Sequence, residues 1–487
     1  MSFYIWSLKN TFVILQYSKH NTDQKNKIMK KLLLSMALFG FIFTAFAQDD
    51  DDSTKVNKQK GEPLEGMDCS WWNGGDRRST PTMVGKYFTP TVMVDVNATH
   101  SFNDPIDNTV VGSTALARNN EMEVSAAHLG GDFYYKGARA HIVTQFGTRS
   151  VLIPRNDYSV FKGQYQLDNV YRYLAEANAG YHFNVLHGIN IDAGMFMSYV
   201  GLNSYYQVEN WEYQASFTSD NTPWFFNGMR IQIFATKKLK IEPWIINGWQ
   251  SYGMFNKQPG VGGNLTWCPN ENIKMLTNDY YGADAAGIPA RKRFHSDNSL
   301  MVRYLNRPKS KGVSKMAFSL TADFGFEKGG GVNGLTDGNA TQGPKQYFAS
   351  IMFYNRMWFA KNKFAWTWGG GYMNNPGRYL VLLPPGQANP LPNPTNPTTT
   401  AGAFPFSTNP GDPFEGFDCS TNLDWMPNQH VLFRIEFVHR QTNVNYFAGP
   451  GGVTSPTGYT TSPLTPGWKP DLVKSEQRII FAILFRL

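Results

Sequence analysis

Six charged residues have the types and spacing to act on a passing solute: Asp192, Arg303, Asp323, Glu327, Arg434 and Glu436. Each sits in an extended-looking stretch where apolar residues recur at every second position, so its side chain points away from the apolar face. Carboxylates and guanidiniums arranged this way around a polar cavity would bias which ions enter, without breaking a bond. The residues that could break bonds are scattered. No two of the nine histidines lie four apart, and there is no GxSxG, HExxH or GxxxxGK[ST] pattern. His141 and His439 fall in strand-like stretches, where they could serve a barrel-embedded lipid hydrolase together with a serine, or simply line a wall. Gly329 to Gly334 fits GxGxxG, but no helix follows it, so it reads as a loop. Cys69, Cys268 and Cys419 show neither CxxC nor zinc spacing. At most one bridge could form; Cys69 and Cys419 share the setting Asp-Cys-Ser, and their pairing stays open.

The elements that carry these residues follow from composition and periodicity. The chain has 487 residues, of which 17% are charged and 15% aromatic, with 45 glycines. A mean hydropathy of −0.38 leaves no room for a bundle of apolar helices. The 35 Phe, 24 Tyr and 13 Trp exclude a disordered chain. What recurs is strict alternation, the pattern of a strand with a different environment on each face. From Met316 to Glu327, one face carries Met316, Phe318, Leu320, Ala322, Phe324 and Phe326, and the other carries Ser319, Thr321, Asp323 and Glu327. Val431, Phe433, Ile435 and Phe437 alternate with Arg434 and Glu436 in the same way, and Ile189 and Ile191 flank Asn190 and Asp192.

Soluble sandwiches alternate too, so three further features decide. The strands run to roughly 10–14 residues, about twice the soluble average. Aromatics gather near the strand ends, as in Trp224-Phe225-Phe226, Trp244, Trp249 and Trp358-Phe359, which suits an interfacial girdle. Connections alternate between short and long. The short ones fall near 136–137, 185–188, 237–238, 269–272, 308–311, 360–363 and 426–429. The long ones fall near 103–119, 148–169, 201–222, 250–257, 280–298, 327–343, 374–418 and 441–475. This predicts an all-β transmembrane antiparallel β-barrel of about 16 strands, with short periplasmic turns and long extracellular loops. The chain ends on an amphipathic strand, Ile479, Phe481, Ile483, Phe485 and Leu487 forming one face, which would close the barrel against the first strand. Residues 384–413, rich in Pro, Thr and Gly, cannot pair as a strand and read as the largest external loop.

Lys30-Lys31, an apolar run from Leu32, and Ala45-Phe46-Ala47 form a signal peptide over residues 1–47, cleaved before Gln48. Met29 offers a second start, which would leave 1–28 outside the natural chain. Removing 1–47 takes away six lysines and one aspartate and lowers the formal net charge from +8 to +3, which removes the support for a nucleic-acid partner. Residues 48–80 read as a periplasmic spacer and 81–487 as the barrel.

The stretch Asn190-Ile-Asp-Ala-Gly-Met-Phe-Met-Ser-Tyr-Val-Gly201, then Asn210 to Ser216, then Pro223-Trp-Phe-Phe-Asn-Gly-Met-Arg230, then Ile246-Asn-Gly-Trp-Gln250, resembles the β-barrel porin-2 (OmpL-like) family of Gram-negative outer-membrane proteins. Tyr87 to Pro105 is similar to that family's first strand. The resemblance spans residues 80–487 and implies a porin-type barrel in the outer membrane, with no catalytic residues and no cofactor. The expected function is passive diffusion of small hydrophilic solutes or ions through a mixed-charge lumen lined by the six residues above. Its partners are then outer-membrane lipid and those solutes, and homo-oligomerisation stays open. The alternatives are an adhesin or scaffold acting through the external loops, or the lipid hydrolase already mentioned.

Overall fold

The computed structural model describes residues 64, 66–72, 74, 83–154, 157, 159, 162–335, 345–376, 413–459, 461 and 468–487. The signal segment 1–47 and almost all of the Pro-rich segment lie outside the described residues.

Among the described residues, alternating side chains make nineteen strands: β1 Phe88–Ser101, β2 Met122–Tyr135, β3 Ala138–Phe146, β4 Leu174–Phe183, β5 Ile189–Met197, β6 Phe225–Thr236, β7 Leu239–Ile246, β8 Gly260–Asn270, β9 Ile273–Gly282, β10 Lys292–Asn306, β11 Val313–Gly329, β12 Val332–Asn333, β13 Tyr347–Phe359, β14 Phe364–Asn375, β15 Phe414–Trp425, β16 Val431–Thr442, β17 Phe447–Ala448, β18 Leu472–Val473 and β19 Ser475–Arg486. Sixteen are long; β12, β17 and β18 are two-residue pieces within loops. Each long strand pairs antiparallel with its neighbour, and β19 pairs with β1 from Met93↔Arg486 to Ser101↔Arg478. The sheet closes on itself, and no edge is left to face lipid with unpaired backbone groups.

The alternation read from the sequence is realised in three dimensions. Along β11, Leu320, Ala322 and Phe324 are exposed on the outside, while Ser319, Thr321 and Asp323 are buried within. Along β19 the exposed outer row is Ile479, Phe481 and Ile483, and the buried inner row is Ile480, Ala482 and Leu484. The short turns stand where expected, with positive φ at Lys136 and Gly137 and again at Ala360, Lys361 and Asn362. The largest boundary difference is at β10, which begins at Lys292, inside the stretch expected to be loop. Lys292 to Asn298 pair continuously with β11, so local polarity gave way to the ladder. Among the described residues no helix is long and apolar enough to cross a membrane.

A candidate permeation lumen

The interior is not an open tube. Loop 198–224, between β5 and β6, folds inward and buries Tyr205, Trp211, Tyr213 and Phe217. A short helix, Phe217–Asp220, steadies it; the Ser216 side chain accepts from the Thr218 N–H at its start. An irregular backbone can be buried only if its amides and carbonyls find partners, and here the inner faces of β13, β15 and β16 supply them. Glu436 accepts from the N–H groups of Tyr213 at 2.6 Å and Gln214 at 2.9 Å. Arg434 donates to the Asn210 carbonyl at 2.9 Å, and Arg356 and Asn422 both donate to that of Trp211 at 3.1 Å. Arg440 donates to the carbonyls of Gly112 and Ala215 and pairs with Asp220 at 2.7 Å. Asp424 holds both Arg356 and Arg434 at 2.7 Å.

A second segment enters from the turn end. Asp68 pairs with Arg303, which also meets Glu271 at 2.9 Å. The Trp71 indole donates to the Glu271 carbonyl at 2.9 Å, and the Gly74 N–H donates to that of Glu209 at 2.9 Å. Residues 66–72 and Gly74, inside the span read as a spacer, therefore rest against the lumen wall. At the loop end, Asp107 ties loop 102–121 to loop 443–474 by accepting from the N–H groups of Val453 at 2.7 Å and Thr454 at 2.8 Å. Burial pushes its carboxyl up, but these bonds outweigh it and hold the group below the ordinary carboxylate range.

Beside the docked loop, part of the lumen stays hollow. A cavity of about 460 Å³ lies between residues 198–204 and strands β4 to β9, lined by Glu176, Tyr199, Arg230, Lys240, Trp244 and Lys274 among others. A smaller one, about 160 Å³, lies beneath Asn203 and Ser204 and reaches Glu212 and Lys274. The wall here carries alternating charge. Asp192 meets Arg139 and Arg230 at 3.2 Å each; Arg230 reaches Glu242 at 3.9 Å, and Lys240 meets Glu242 at 2.5 Å. His141 sits between Asp132 at 2.8 Å and Glu176 at 3.3 Å.

All six charges singled out from the sequence are turned inward and buried. The structure divides them among four places. Asp192 belongs to the charged wall beside the hollow. Arg434 and Glu436 hold the inward loop, and Arg303 holds the N-terminal segment. Asp323 lies 3.8 Å from His295, and Glu327 pairs with Arg291 at 2.7 Å and Arg293 at 3.0 Å near the loop end. Sequence reasoning passed over Arg139, Glu176, Arg230, Lys240, Glu242 and Lys274. The signal was present: Arg230 and Gln232 alternate with Ile231 and Ile233, and Lys240 and Glu242 with Ile241. His439 is on the outer face of β16, packed on Phe417, so the two histidines do not share a site. All three cysteines are free, with Cys419 on the outer face of β15, which answers the open pairing.

A closed sixteen-stranded barrel, apolar outside and charged within, with its interior narrowed by an inward loop, defines an outer-membrane channel-type barrel. The chain belongs to the family described as "Putative beta-barrel porin-2, OmpL-like", whose model matches residues 87–464. No curated protein matches it by sequence. Among solved structures it is similar to the outer membrane channel DcaP of Acinetobacter baumannii, at 8% identity and TM-score 0.46, covering 82% of this chain and 97% of that one. It is also similar to OprB of Pseudomonas putida, at 9% identity and TM-score 0.45, covering 82% and 94%. The trimer form of OmpT of Vibrio cholerae matches at 8% identity and TM-score 0.44, covering 82% and 99%. The closed strand pairing itself, not this overlap, establishes the barrel.

Proposed function

We propose that the protein is a passive channel for small hydrophilic solutes and ions, which cross through the part of the lumen that the inward loop leaves free. The observation that carries this reading is the hollow beside β4 to β9, whose wall presents both signs of charge next to open space. A closed barrel packed solid would instead leave no open volume beside these charges. Cations and anions face the passage together, so selectivity among simple salts is weak. Asp192 acts in the passage wall through Arg139 and Arg230. Arg303, Arg434 and Glu436 shape the passage by holding the segments that narrow it, and Asp323 and Glu327 steady the strands near its outer mouth. Export follows cleavage before Gln48, and mass analysis of the N-terminus of outer-membrane material checks that.

Conductance of the purified, folded protein in planar bilayers tests the channel. Stepwise currents with small reversal potentials under a salt gradient are expected. Folded protein that inserts and passes no current would overturn the reading in favour of a scaffold acting through its external loops.

A further inference from the structure

One lysine departs from the rule that the other strand-borne cations of the lumen obey. Every other lysine or arginine that a strand turns into the lumen has a carboxylate within 4.0 Å, from Arg139 with Asp192 round to Arg478 with Glu476. Lys274, the second residue of β9, makes neither a hydrogen bond nor an ion pair among the described residues. Its ammonium instead stands 4.4 Å from the centre of the Trp72 ring. A cation–π contact offsets only part of the cost of taking an ammonium out of water. Glu209, across the smaller cavity, is already taken by Arg486 at 2.6 Å.

Lys274 stands at a junction. It lines both cavities, as do Trp72, Leu202, Asn203 and Ser204, so it stands where the two meet. The larger cavity falls within the range of small-molecule sites. Four cations line it, Arg230, Lys238, Lys240 and Lys274, against two carboxylates. Both carboxylates are engaged, Glu242 by Lys240 and Glu176 by His141 and the Tyr206 hydroxyl. Trp72, Tyr199 and Trp244 add flat apolar faces, with Tyr199 and Trp244 stacked at 5.0 Å.

We propose that this cavity is a binding site for a small organic carboxylate with a ring-shaped body, its anionic group on Lys274 and its ring against Trp72. The site rests on the channel reading, since the solute reaches it by permeation. It differs from bulk ion selectivity, because it needs one cation and one aromatic face rather than net charge.

Glucuronate and glucose serve as probes, since they share a ring and differ in the carboxylate. Titration calorimetry on the detergent-folded protein should show glucuronate binding and no measurable glucose binding. Lys274→Met should weaken glucuronate binding at least tenfold, and Trp72→Ala should weaken it less. Lys363→Met, in the turn 360–363, should leave binding unchanged. Folding of each variant is read from its retarded or advanced mobility on unheated gels. In bilayers, glucuronate should block the wild-type current and not that of Lys274→Met. Absence of glucuronate binding, or equal effects of Lys274→Met and Lys363→Met, overturns the site. Conductance without glucuronate binding leaves the channel standing and removes the site. Lys274-dependent binding without conductance keeps the site and removes the channel.

Discussion

The two halves of the lumen are built from the same residue types by the same alternation, and they do opposite things. On the side of β13 to β19, Arg356, Asp424, Arg434, Arg440 and Asp220 have fully covered side chains. On the side of β3 to β7, Arg139 and Lys240 keep about a quarter of theirs exposed, at 26% and 27%. The difference is what lies against the wall. Where the irregular loop presses, wall charges are consumed in satisfying its backbone. Where the loop stands off and leaves a cavity, the same kind of charge meets open space. A lumen charge is therefore a strut or a gatepost according to its neighbour, and the strand that carries it does not say which.

The largest effect expected from this contrast comes from Asp424→Asn. It strips the shared partner from two fully buried guanidiniums, and breaking such a pair costs about 3–5 kcal/mol. The variant should lose its folded-form gel mobility at lower urea or temperature, whereas Lys240→Gln on the open wall should not. Equal loss from both would erase the distinction between the halves.

Next is Glu436→Gln, which replaces the charged acceptor for two loop amides. Bonds to a charged group contribute roughly 1.5–3 kcal/mol each, and part of that is kept by the amide oxygen. The barrel should stay folded while loop 198–224 undocks more often, seen as larger and noisier currents and as new protease cuts in that loop.

A third expectation concerns pH. Burial pushes the carboxyl of Glu212, in the inward loop, from 4.5 up to about 7, with Asn203 and the Arg434 and Arg356 guanidiniums pulling the other way. A carboxyl whose folded value is raised favours the docked state while protonated. Docking is therefore undisturbed below pH 4.5 and weakens as pH rises through 7. Conductance should rise across that window, and Glu212→Gln should flatten the rise. A rise that persists in the variant assigns it to another group.

The smallest effect belongs to Lys240→Gln. Lys240 is partly exposed, and the buried Glu242 keeps Arg230 at 3.9 Å and Gln232 at 3.1 Å, so the substitution should change stability by only about 1 kcal/mol. The reversal potential should move toward cation preference, and the shift should shrink at 1 M salt, where charges are screened beyond ~3 Å instead of ~10 Å at 0.1 M.

Much of the barrel was legible in the sequence. A strand writes its two faces into neighbouring residues, so Phe324 outside and Asp323 inside could be read from twelve letters. The turns were legible because short polar breaks must separate such runs. The docked loop was not. Residues 201–222 look like an external loop, since their polar and aromatic composition suits a mouth as well as a plug. Their inward course depends on partners such as Glu436, which follows Tyr213 by 223 positions. The role of each lumen charge was hidden for the same reason.

By itself, then, the sequence determined the strands, the face each residue occupies, and the closure of the barrel by its last strand, because alternation is a local property of an extended chain. Only the tertiary structure decided which loop enters the lumen, which charges it consumes, and that Lys274 is left without a carboxylate. Those outcomes depend on long-range satisfaction of buried backbone groups, and no short stretch of residues encodes that.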